Sequence, residues 1–101
     1  MKRVIVLEEA AEDIEAARDF YDEIEQGVGD YFLRRIVEDL ERLTALSGIH
    51  GLHFGFHRML SEKFPFGIYY RETAGETQVF AILDLRREPT WIRAELHNRN
   101  S

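Results

Sequence analysis

Cysteine is absent from this sequence, which removes disulfide scaffolds, thiol nucleophiles and every cysteine-ligated metal site at once. Proline occurs twice among 101 residues, too rarely for a proline-rich linker or a disordered tail. Long apolar runs are missing as well. The first, Val4 to Leu7 after Lys2 and Arg3, is shorter than the roughly 7 to 15 residues of a signal-peptide core. No stretch approaches the roughly 18 apolar residues of a membrane span, so a cytoplasmic protein without membrane contact is expected. Positive charge is also in deficit: 13 Lys and Arg face 19 Asp and Glu, a net charge of −6. Direct nucleic-acid binding is therefore not expected, since the overall field repels phosphates, although a local basic patch is compatible with the composition. What is present is ordinary globular material, 45% hydrophobic and 32% charged. The length suits one domain over residues 1–101 that buries on the order of 60 to 65% of its unfolded surface.

The hydrophobic period places the elements. Val4, Ile5, Val6 and Leu7 read as a strand. The acidic cluster Glu8, Glu9, Glu12, Asp13 and Glu15 then suits the positive end of a helix dipole, so a helix is predicted from near Glu8. Ala10, Ile14, Ala17, Phe20, Tyr21 and Ile24 recur on one face of it. Gly27 and Gly29 interrupt the pattern, and Asp30 is the expected cap of a second helix carrying Phe32, Leu33, Ile36, Val37, Leu40, Leu43 and Leu46. Ser47 and Gly48 end it, and a loop runs from Gly48 to Gly55. Three strands are predicted next, Phe56 to Lys63, Phe66 to Glu72 and Thr77 to Arg87, the last two joined by a turn at Ala74, Gly75 and Glu76. In the last strand Val79, Ala81, Leu83 and Leu85 fall on one face and Phe80 and Ile82 on the other, which predicts a central strand. After Pro89 a short helix over Thr90 to His97 would dock Trp91 on the sheet. The expected fold is α+β, β-α-α-β-β-β with a short C-terminal helix. The helical hairpin covers one face of a mainly antiparallel sheet and leaves the other available.

This order, with Phe64-Pro65-Phe66-Gly67-Ile68-Tyr69-Tyr70-Arg71 and Val79-Phe80-Ala81-Ile82-Leu83-Asp84-Leu85-Arg86-Arg87-Glu88-Pro89, resembles the RelE/ParE toxin superfamily, closer to the ParE side. The resemblance implies a toxin of a two-gene toxin-antitoxin, or plasmid stabilisation, module, neutralised by a small antitoxin that wraps across it. One branch of the family cuts mRNA on the ribosome; members of the other inhibit DNA gyrase. By motif alignment the first branch's arginine at the start of the third strand is replaced by Gly67, and its near-terminal tyrosine by Ile92, or by Trp91 with a shift of one residue. Arg86 alone matches. Losing a preorganised electrostatic donor costs about 10²- to 10³-fold in rate, so the resemblance implies no efficient ribonuclease.

The remaining candidates follow from residue chemistry. Arg58, Arg71, Arg86 and Arg87, with Trp91, could form a partner-binding patch, an anion site for the target or for antitoxin carboxylates. The competing view is that the arginines are surface charges paired with Glu62, Glu72, Asp84 and Glu88, pairs worth less than about 1 kcal/mol each. His50, His53 and His57 are weak candidates for zinc or nickel, and solvent-exposed loop histidines are the stronger reading, because the HExxH pattern is absent. No cofactor is expected. The sequence leaves three functional readings: a gyrase-binding toxin, an mRNA endonuclease with a relocated site, and a nontoxic interaction module, which would be a homodimer in one version. Supercoiling of a plasmid and growth after induction separate them.

Overall fold

The computed structural model describes residues 2–100. Along the chain lie β1 (Arg3–Val6), α1 (Glu8–Ile24), α2 (Val28–Leu46), β2 (Leu52–His53), β3 (Phe56–Leu60), β4 (Phe66–Thr73), β5 (Glu76–Asp84) and α3 (Pro89–Asn98). The strands form one sheet in the order β1-β5-β4-β3-β2, with β1 parallel to β5 and the other pairs antiparallel. The fold is the expected α+β arrangement, and β5 is central. Two residues of the expected Gly48–Gly55 loop instead form β2, held by Leu52 opposite His57 and His53 opposite Phe56.

The helical hairpin covers one face. Ala10, Ile14 and Tyr21 from α1 and Phe32, Ile36 and Leu43 from α2 are buried against Ile68, Tyr70, Val79 and Ile82. The hairpin turn is built differently from the expected Asp30 cap. α2 starts earlier, after Gly27 at φ 94°, and its first amides are capped from α1: Asp22 Oδ1 accepts the N–H groups of Gly27 at 3.1 Å and Gly29 at 2.7 Å. Asp30 lies within the first turn and pairs with Arg18 at 2.6 Å. The helices touch at Gly29, where a Cβ would lie 2.4 Å from the Arg18 carbonyl oxygen.

The simple alternation read along β5 breaks at Phe80. Tyr70 pairs with Val79 and Tyr69 with Ala81, so Phe80 is the extra residue of a β-bulge. The bulge shifts the phase: Val79 and Ile82 face the hairpin, whereas Phe80, Ala81, Leu83 and Leu85 face the other side. β5 also stops at Asp84 instead of continuing to Arg87, because the Asp84 carbonyl accepts the Arg87 N–H at 3.2 Å and turns the chain. β3 likewise ends at Leu60, three residues before Lys63.

The second face is not left available. Ile92 and Leu96 of α3 close over Phe56, Tyr69, Ala81 and Leu83, with Trp91 at the margin, forming a second buried cluster. The bulge explains this cover. It turns an additional apolar side chain toward that face, and burying such a surface under a helix is favoured at about 25 cal/mol per Å².

Candidate partner-binding site

β1 pairs with β5 only as far as Val6 opposite Val79, after which the Leu7 N–H donates to the Val79 carbonyl at 3.0 Å and the chain turns into α1. Beyond that point the edge of β5 has no strand beside it among the described residues. A buried edge with free amide and carbonyl groups is costly, and two side chains supply the missing partners. Asp13 of α1 accepts the Ile82 N–H at 2.9 Å, and the Arg99 guanidinium donates to the Phe80 carbonyl at 3.3 Å. The two side chains also bind each other through parallel contacts of 2.5 and 2.9 Å, and Glu95 adds a third at 3.2 Å. Their side chains are only 9% (Arg99) and 15% (Asp13) exposed, and the Asp13 hydrogen bond pushes the Arg99 pKa up.

Alongside this clamp a cleft of about 390 Å³ runs between α1 and α3 over the free edge of β5. Ala16 and Ala17 form its low wall, Phe66 and Leu83 line it, and Phe20 and Trp91 stand on opposite sides. Phe20 is 53% exposed. At the rim the Arg87 guanidinium lies 3.7 Å from the Trp91 ring centroid, a cation–π contact that holds both side chains. Small residues beside an exposed aromatic, a charged rim and a nearby strand edge can accommodate a segment of another chain.

The structure disperses the other candidates. Arg86 lies outside the cleft and donates to Asp84 at 3.0 and 2.7 Å; that bond raises the Arg86 pKa and holds the Asp84 carboxyl below its usual range. Arg58 and Arg71 face the α3 side of the sheet. Arg58 lays its stem over Gly67, whose Cβ would meet Arg58 Cδ at 3.1 Å. Burial pushes the Tyr69 hydroxyl pKa up, and the neighbouring Arg58 partly opposes the shift. Arg71 lies 4.0 Å from the Phe56 ring centroid and donates to Asn100. Ile92 is in the second core at 5% exposure. Only Arg87 and Trp91 of the predicted partner residues thus meet in the cleft.

The histidines take separate structural parts. His50 Nδ1 lies 2.5 Å from the Tyr70 hydroxyl, which also accepts the Gly48 N–H at 2.9 Å. His57 Nδ1 bonds the His50 carbonyl at 2.6 Å. Burial lowers the His50 pKa, helped by His57 and Arg42; burial also lowers that of His53, helped by Arg58. Among the described residues no three His, Asp or Glu side chains gather as a metal would require.

Sequence reasoning missed the clamp. Asp13 was legible as a carboxylate beside Ile14 in the helical pattern, but its acidic neighbours gave it the reading of dipole complement. Arg99 carries no local signal, because its partner is 86 residues away.

No family model matches the chain, and no curated protein matches it. Among solved structures, the chain is similar to one from the chromosomal ParDE toxin-antitoxin system of P. aeruginosa, with a TM-score of 0.72 at 22% identity, covering 81% of this chain and 94% of that one. With the helical hairpin on one face, a parallel β1 beside β5 and α3 on the other face, the fold is one shared with a chain of that ParDE toxin-antitoxin structure.

Proposed function

We propose that this chain is the toxin of a two-component toxin-antitoxin pair, that it acts by binding DNA gyrase rather than by cutting RNA, and that its antitoxin lays a segment in the α1–α3 cleft. The observation that carries the reading is the cleft itself: an exposed Phe20 and a Trp91 clamped by Arg87 beside a strand edge that no strand among the described residues covers. Such a surface suits an amphipathic segment whose apolar side chains enter and whose carboxylate meets Arg87. The likeness in fold to a chain of a ParDE system supports the same class. Binding is favoured over cleavage by the side chains themselves. Gly67 offers no cation, Ile92 is enclosed, and Arg86 is held by Asp84, whereas phosphodiester cleavage needs preorganised charge and a proton donor.

Tightly controlled induction without antitoxin, followed by gel analysis of a reporter plasmid, tests the target. Relaxed or cleaved plasmid with growth arrest is expected. Arrest with normal topology would replace gyrase by RNA cleavage, and healthy growth would leave a nontoxic binding module. For the cleft, Phe20→Glu should retain toxicity and escape neutralisation by the protein encoded beside it; unchanged neutralisation would refute that placement.

A further inference from the structure

A second concavity, about 740 Å³, lies on the side of α3 away from the cleft, between the helix and the β2–β3 turn. Thr90, Arg93, His97 and Asn98 line it from α3, Asn100 from the chain end, and Phe54 from the turn. Arg93 and His97 are four residues apart and share a helix face.

Two observations separate it from ordinary surface. The first is charge. Among the described residues no Asp or Glu lines it, in a sequence with 19 of them. The concavity on α2 has Glu38, Asp39 and Glu62, the one at the start of α1 has Glu8 and Glu9, and the cleft has Asp13, Asp84 and Glu95. The polar groups here include a guanidinium, an imidazole, a hydroxyl and two amides. Arg71 Nη1 donates to Asn100 Oδ1, which directs that oxygen at Arg71 and leaves the amide N–H₂ free to donate elsewhere.

The second observation is the ring. His53 pairs with Phe56, so Phe54 and Gly55 are a two-residue hairpin connection, with φ of 56° and 85°. Turns with both φ values positive favour Asn, Asp or Gly at the first position. Phe54 is the one non-glycine residue with positive φ among the described residues, and it is 49% exposed. A bulky side chain at positive φ costs backbone free energy that the partial burial of Phe54 does little to offset, which sets this residue apart from an ordinary turn position.

We infer that this concavity binds a nucleoside phosphate, its base stacked on Phe54 and its phosphate held by Arg93 and His97. A flat apolar ring in the same concavity as a guanidinium and an imidazole fits a planar base joined to an anion. The absence of lining carboxylates makes the site a local exception to the repulsive net field. The inference does not depend on the toxin-antitoxin reading. The same chemistry is offered by a free nucleotide and by a unit of a single strand, and one or two phosphate contacts imply a modest salt dependence, a log–log slope of about −1 for a strand.

The full chain should be titrated with AMP by calorimetry and with a fluorescein-labelled mixed-sequence RNA decamer by fluorescence polarisation. Binding of AMP identifies a free-nucleotide site; binding of the decamer alone identifies a single-strand site. Arg93→Glu, on an exposed helix face, and Phe54→Gly, which suits the turn, should each weaken the observed binding at least fivefold while the circular dichroism spectrum is kept. No binding of either probe, or a loss below fivefold in either variant, would overturn the inference.

Discussion

Replacing Asp13 by alanine should destabilise the protein more than any change at an ordinary surface acid, and the clamp allows the cost to be worked out. The substitution leaves the Ile82 N–H, on a residue that is 1% exposed, without its acceptor. An orphaned buried donor costs about 1 to 3 kcal/mol. It also takes two charge-assisted contacts from Arg99, which retains Glu95 at 3.2 Å and Glu9 at 3.6 Å. Breaking a fully buried pair costs about 3 to 5 kcal/mol; with Glu95 and Glu9 still beside it, Arg99 keeps part of its compensation, and a total of about 3 kcal/mol is expected. For a domain of this size that lowers Tm by roughly 15 °C. Asp13→Asn keeps one acceptor for Ile82 and removes the charge, so it should cost about half as much. Urea unfolding supplies the free energies, and amide exchange at Ile82, which should quicken in the alanine variant, locates the damage. A cycle with Arg99→Met should show coupling of about 1 kcal/mol or more. An asparagine variant within about 0.5 kcal/mol of wild type would mean that the charge pair contributes nothing net, and the reasoning would fail.

Gly29→Ala tests the helix contact. Its Cβ would lie 2.4 Å from the Arg18 carbonyl oxygen and 2.7 Å from Asp22 Cγ, so the helices must part and the Asp22 cap must loosen, at a cost of about 3 kcal/mol read by thermal unfolding. A Tm within a few degrees of wild type would sink this account. Acidification tests His50. Burial lowers its folded pKa below the ordinary 6.5, so the unfolded chain takes up its proton first; the stabilisation is complete above pH 6.5 and is lost progressively as pH falls toward the folded pKa. Tyr70, His57 and Arg42 surround the ring. Urea midpoints between pH 7.5 and 5 should fall more steeply for wild type than for His50→Gln; equal slopes would show that His50 makes no such contribution.

Most of the architecture was legible because its causes are periodic. Ile14, Tyr21, Phe32, Ile36 and Leu43 lie where three- and four-residue spacing puts them, in the core under the hairpin. What escaped has causes that are not periodic. The bulge at Phe80 inserts one residue and reverses the faces, which a strict two-residue alternation cannot express. The cap of α2 comes from Asp22 on the preceding helix, although Asp30 fits the local rule. Of the site, Arg87 and Trp91 could be named from residue type and strand-end position. Phe20 was read as an apolar member of the α1 face, and only the packing shows that it stands half free beside the cleft.

The pairing of β1 with β5 fixes an order of assembly. Arg3 sits opposite Glu76 and bonds it across 73 residues of chain, so β1 has no neighbour until β5 has been made. The β4–β5 hairpin is local and can form early, whereas the long loop closure that brings β1 to its edge is slow. The Asp13–Arg99 clamp requires still more of the chain. Until Arg99 has been added, α1 and the edge of β5 are unclamped, and a partner present at that moment meets a surface that the folded chain no longer offers.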